Sequence, residues 1–132
     1  MKYNILCEKS KAFALRIIKL DKYLCSEKKE YVLSDQLLRS GTSIGANIRE
    51  ATRAQTDADF YLKLTIALKE ADESAYWLEL LYESGRLNKK QYESIYSDCN
   101  ELIKMLVAIT KTQKSKLKKD KKQLLGGKRF RT

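Results

Sequence analysis

Histidine is absent from this 132-residue chain, and so is proline. The first absence removes the commonest general base, the commonest zinc ligand and every His-based catalytic triad. The second leaves helices free of their strongest breaker. Glycine occurs only five times and cysteine three times. The odd, widely spaced set Cys7, Cys25 and Cys99 argues against a disulfide framework and against a zinc site, and fits free thiols in a reducing compartment. No apolar run approaches the roughly 20 residues that a membrane span requires. The N-terminus lacks a secretory pattern, since Glu8, Lys9 and Lys11 interrupt it early. A cytoplasmic protein without a membrane span is the expectation.

What is present is rich in Leu, Lys, Glu and Ala, the composition of long helices joined by short turns. Four amphipathic stretches can be read. Leu6, Ser10, Phe13, Ile17, Leu20 and Leu24 step by four and three along a first helix over 3–27, widened by Ile5, Ala14 and Ile18. The charged run 26–30 is the expected turn. Leu33, Leu37, Gly41, Ile44, Ile48 and Ala51 form a second seam, with Ser34 as its expected N-cap. Thr56 with Asp59 opens a third helix, carried by Tyr61, Leu64, Leu68, Ala71, Ala75, Leu78 and Tyr82 and stopped by Gly85. Asn88 and Gln91 form a capping box for a fourth, whose seam is Tyr92, Ile95, Cys99, Leu102, Leu106 and Ile109, widened by Ile103 and Val107. Fraying is expected between Thr112 and Lys119, and Gly126-Gly127 is expected to end any helical continuation. The predicted fold is all-α: an antiparallel up-down-up-down four-helix bundle over 1–112, followed by a basic, partly disordered C-terminal tail over 113–132. Mobility is expected at 128–132.

The net charge of +10 is unevenly spread. Residues 111–132 hold ten Lys or Arg and one acid, against seventeen and sixteen in 1–110. The body is therefore near neutral and the tail strongly basic. Lys111, Lys114, Lys116, Lys118, Lys119, Lys121, Lys122, Lys128, Arg129 and Arg131 can neutralise phosphates and release counterions, with sequence-blind, salt-dependent affinity. Phe130 between two arginines can stack on unpaired bases. A merely solvating tail, and a contact with an anionic membrane or acidic protein, are the alternatives. Arg39, Arg49 and Arg53 recur around the second helix and suggest a second basic patch.

No motif points to catalysis, a cofactor or a metal. Gly41-x-x-x-Gly45 lacks the context and the Lys-Ser/Thr of a phosphate loop, and reads as close helix packing. Glu70, Asp72, Glu73, Glu79 and Glu83 crowd the third helix, but bundle di-metal sites use Glu-x-x-His pairs. A solvated acidic face with Lys partners is the simpler reading. Asn47 borders the buried seam, one turn from Glu50. The pair reads either as a ligand grip or as a hydrogen-bond cluster that sets helix register, with Tyr61 or Ser43 as partner.

Ser43-Ile44-Gly45-Ala46-Asn47-Ile48-Arg49-Glu50-Ala51 resembles the Ser-Ile-x-x-Asn-Ile-x-Glu-Gly signature of the four-helix-bundle proteins encoded in intervening sequences of bacterial 23S rRNA genes. Ala51 stands where that signature has Gly. Phe60-Tyr61, the stretch 67–74 and Tyr76-Trp77-Leu78-Glu79-Leu80-Leu81 resemble the family's second block. The resemblance spans about 5–112 and leaves out the tail. It implies a homopentamer without established enzymatic activity. Ser43, Asn47, Glu50, Glu73 and Trp77 carry over as signature positions. A more distant similarity is to the accessory variability proteins of diversity-generating retroelements, which implies a reverse transcriptase as protein partner. The leading expectation is a non-enzymatic oligomer that binds RNA or DNA through basic residues. The alternative is an interaction scaffold or accessory subunit, for a reverse transcriptase or a ribosome-associated factor.

Overall fold

The computed structural model describes the backbone of residues 2–130 and the side chains of residues 3–125. Four helices follow one another: α1 (Lys2–Glu27), α2 (Val32–Ala51), α3 (Asp57–Glu83) and α4 (Lys89–Phe130). Short connections turn the chain back each time, so the bundle is antiparallel and up-down-up-down. Each helix packs on its sequence neighbour, while α1 and α4 meet least. That seam is joined by two exposed ion pairs, Lys9–Glu101 at 3.0 Å and Arg16–Asp98 at 2.6 Å. Pairs of this kind stabilise by about 0–1 kcal/mol each, so apolar burial holds the bundle together.

The predicted seams are the core. Leu6, Phe13, Ile17 and Leu24 from α1 meet Leu37, Ile44 and Ile48 from α2, Leu64, Ala71 and Leu78 from α3, and Ile95, Cys99, Leu102 and Leu106 from α4, all buried. The expected widening is narrower in fact. Ile5, Ile18 and Val107 are 43%, 39% and 48% exposed, because no neighbouring helix lies over those flanks.

Helix ends follow the capping chemistry with one exception. Thr56 Oγ1 accepts from the Asp59 amide at 3.1 Å. Asn88 and Gln91 exchange both capping-box bonds, at 2.9 and 2.8 Å. Gly85, at φ 83°, closes α3 while the Arg86 amide returns to the Leu81 carbonyl at 2.8 Å. Ser34 is not the α2 cap. It lies inside the helix, buried, and its hydroxyl donates to Asp21 of α1. Glu30 takes the capping role, accepting from the Leu33 amide at 3.0 Å and pairing with Arg86 Nε at 3.2 Å. One carboxylate thus ties the α1–α2 turn to the α3–α4 turn.

The tail also differs from expectation. Instead of fraying between Thr112 and Lys119, α4 runs on as helix through Gly126-Gly127 to Phe130. Lys, Gln and Leu are good helix formers. Half-buried Gln113 and Leu117 continue the seam of Leu106 and Thr110, and Lys116 Nζ meets Asp57 at 3.3 Å. The extension is a continuation of α4, not a separate element. The mobility expected at 128–132 falls outside the residues whose side chains are described.

Candidate nucleic-acid interface

The tail lysines become a surface once placed on a helix. At 100° per residue, Lys111, Lys114, Lys118, Lys121 and Lys122 share about 100° of arc and span roughly 16 Å of axis. Lys119 lies just beside this stripe and Lys116 points away, toward Asp57. Gln113, Leu117 and Leu124 occupy the other side. With 42 residues against 27 in α3, α4 reaches roughly 20 Å further along the bundle axis. The seven lysines of 111–122 are all exposed, and only Lys116 makes an ion pair among the described residues. The side chains of Lys128 and Arg129, and all of Arg131, lie outside the described region.

Arg39 and Arg49 of α2 and Arg53, which lies in the turn after α2 and not on the helix, do not form one patch. Arg39 reaches across to α3, where Glu70 at 3.1 Å and Glu73 accept from its guanidinium. The Glu73 hydrogen bond raises the Arg39 pKa above its ordinary value. This accounts for two of the α3 acids, whose partner is an arginine of α2 and not a lysine. Arg49 and Arg53 lie elsewhere, on a groove of about 560 Å³ between α1 and α2.

Small residues make that groove. A Cβ on Gly41 would stand 2.9 Å from Ile17 Cγ1, and one on Gly45 would stand 3.4 Å from Ser10 Oγ. The two helices therefore approach closely along this line, as the glycine spacing suggested. Ala14, Gly45 and Ala46 form a low floor, and Lys11, Arg49 and Arg53 form the rim. No acid lines the groove. Lys11 escapes a reading of the sequence. Its only signal is its place between Ser10 and Ala14, the small α1 residues that face α2.

The groove and the tail share one end of the bundle. Thr52 lines the groove and also a second depression at the bundle end, beside Asp57, Phe60 and Gln113 of α4. That second depression has no cation among its lining residues, and its Asp57 pairs with Lys116, so the groove and the tail are separate cationic surfaces at one end of the bundle. Tyr3 caps this end from α1, donating to the Ile48 carbonyl at 2.7 Å. Burial pushes its pKa up to about 12, with Cys7 adding to the rise, so it stays a neutral donor.

The signature positions act locally. Asn47 Nδ2 donates to the Ser43 carbonyl at 2.9 Å, and Ser43 Oγ donates to the Arg39 carbonyl at 2.7 Å. Asn47 and Glu50 do not bond to each other: Glu50 is exposed and faces Lys63 at 3.6 Å. Ser43, and not Tyr61, is the Asn47 partner. A buried polar contact between α2 and α3 is made by Ser74, whose hydroxyl donates to Ser40 Oγ at 2.8 Å. Trp77 packs beside Tyr76 with ring centroids 5.2 Å apart. Cys99 is buried, and desolvation pushes its thiol up to about 12, so it supplies no thiolate near neutral pH.

The family model described as 23S rRNA-intervening sequence protein matches residues 2–108. The match stops before Lys111, so the basic extension lies outside it. A solved structure from Bacteroides thetaiotaomicron VPI-5482, titled a protein with unknown function from the S23 ribosomal protein family, is 57% identical. It covers 84% of this chain and 99% of its own, with a TM-score of 0.83. No curated protein matches the chain. No helix among the described residues is long and apolar enough to cross a membrane.

Proposed function

The chain belongs to the 23S rRNA-intervening sequence protein family, and from that premise we propose that it is a non-enzymatic, cytoplasmic nucleic-acid-binding protein. Its ligand is RNA or DNA held through phosphates. The observation that carries the reading is the placement of unpaired cations. The body's net charge is close to zero, whereas the α4 lysine stripe has no acid against it among the described residues apart from Asp120 in its own helix. Six lysines left free within one short stretch of α4 repel each other, and a polyanion relieves that repulsion while releasing its counterions.

The test is a salt titration of oligonucleotide binding by the intact chain. With about six phosphates neutralised, log Kd should rise with log salt at a slope near 5 for a duplex. Binding that ignores salt, or no binding at about 50 mM salt, overturns the reading.

We also propose self-association, with the homopentamer that the resemblance implies as the expected count. Ile5, Leu15 and Ile18 on α1, and Leu62 and Tyr76 on α3, are exposed and supply apolar surface for it. Light-scattering mass checks the count, and a monomer overturns it. The scaffold alternative draws on the same α3 surface, with a reverse transcriptase or ribosome-associated factor as partner. A protein partner that stays bound after nuclease treatment favours it over direct nucleic-acid binding.

A further inference from the structure

Five arginines have described side chains, and three of them are spent on ion pairs: Arg16, Arg39 and Arg86. The two that remain, Arg49 and Arg53, both line the α1–α2 groove, and the third rim cation, Lys11, is likewise unpaired among the described residues. Position near the α2 C-terminus explains some of this, since cations there are favoured by about 0.3–1 kcal/mol. It does not explain why both face one groove together with a lysine from another helix.

The floor has the opposite character. Ala14, Gly45 and Ala46 present carbon and backbone only. The nearby hydroxyls are already donated within their own helices, Ser10 to the Cys7 carbonyl at 3.0 Å and Thr42 to the Leu38 carbonyl at 2.7 Å. A shallow apolar floor under a rim of free guanidinium and ammonium groups fits a flat, uncharged ring that carries an anion beside it.

We propose that this groove seats an unpaired nucleotide of a single-stranded nucleic acid, with the base on the Ala14–Gly45–Ala46 floor and the flanking phosphates on Lys11, Arg49 and Arg53. The inference rests on the nucleic-acid reading above and adds to it a strand preference. A duplex meets such a shallow groove only at its rim, whereas the splayed base of an unpaired strand can lie in it. Ala14, Gly45 and Ala46 carry no side-chain hydrogen-bonding group, so base identity matters little.

The experiment measures fluorescence anisotropy of a labelled 12-nucleotide single strand, as RNA and as DNA in separate arms, and of the matching duplexes. Ala46→Leu fills the floor without adding an aromatic face and leaves every charge in place. It should weaken single-strand binding about tenfold and leave duplex binding within about twofold. Arg49→Gln with Arg53→Gln is the second variant, both residues being exposed. It should cost the single strand more than Lys118→Gln with Lys122→Gln, which removes the same charge from the tail. Selective loss in either the RNA or the DNA arm supports the groove. Unchanged single-strand affinity in Ala46→Leu, or equal losses in the two charge-matched doubles, overturns it. If the intact chain binds no oligonucleotide, the broader reading falls as well. If it binds and only tail variants weaken it, the groove alone is refuted.

Discussion

Deletion of residues 113–132 should weaken nucleic-acid binding by at least about 100-fold at 50 mM salt and flatten the salt dependence to a slope near 1–2. The segment holds nine Lys or Arg and one acid, a net +8 of the chain's +10. What is left is the groove rim, Lys111 and a body whose other charges largely offset one another. Each lost phosphate contact removes about 0.9 from the slope on a duplex, so the change in slope counts the contacts that the tail makes. The fold should survive the deletion. Among the described residues beyond 112, only Gln113 and Leu117 are even half-buried, and the lost Lys116–Asp57 pair is exposed on both sides. A thermal midpoint within a few degrees of the intact chain is therefore expected, since an exposed pair is worth about 0–1 kcal/mol. A deletion variant that folds and still binds with the parent's affinity and slope would assign the tail to solvation alone.

The second large effect concerns the two glycines of α2, which look alike in sequence and differ in place. Gly41→Val should destabilise the bundle by about 3 kcal/mol, the upper part of the usual overpacking range. The new Cβ would stand 2.9 and 3.0 Å from the two γ-carbons of Ile17 and 3.4 Å from its Cβ. Ile17 is fully buried, and its branched side chain has one strongly preferred helical rotamer, so it cannot turn aside. The helices must separate, and the better helix propensity of Val over Gly recovers well under 1 kcal/mol. Gly45→Ala should do the reverse. Its Cβ would make ordinary contact with Ser10, at 3.4 to 3.5 Å, so the gain in propensity of up to about 1 kcal/mol stands unopposed. Thermal melting of the two variants checks both signs, with a fall on the order of 10 °C for Gly41→Val and a small rise for Gly45→Ala. Equal midpoints would mean that α1 and α2 do not close on Gly41.

Much of this fold is legible in the chain. Where apolar residues recur at three and four, as in Leu6 to Leu24 or Ile95 to Leu106, helix and buried face follow together from the 3.6-residue period. Caps that use neighbouring residues, such as Thr56 with Asp59 and Asn88 with Gln91, are local and readable. Ser34 shows where this stops. It has the side chain of a cap, yet the Asp21 carboxylate on another helix outbids the local backbone for its hydroxyl. The extent of α4 was missed for a related reason. Gly126-Gly127 is a local breaking signal, and the helical run of Lys, Gln and Leu before it carries on past the signal.

The functional surface divides in the same way. The sequence by itself determined that the chain is a helical bundle, that histidine chemistry is absent, and that positive charge gathers at one end. Composition and periodicity are properties of a chain and do not depend on how its helices meet. The tertiary structure alone decided which charges remain available. Arg39 and Arg49 are equally basic in sequence, but one is met by Glu70 and Glu73 from α3 while the other faces an open groove with Lys11. Ion pairing and groove formation depend on distances between helices: the packing of α3 on α2 sets the first, and the close α1–α2 approach permitted by Gly41 and Gly45 sets the second.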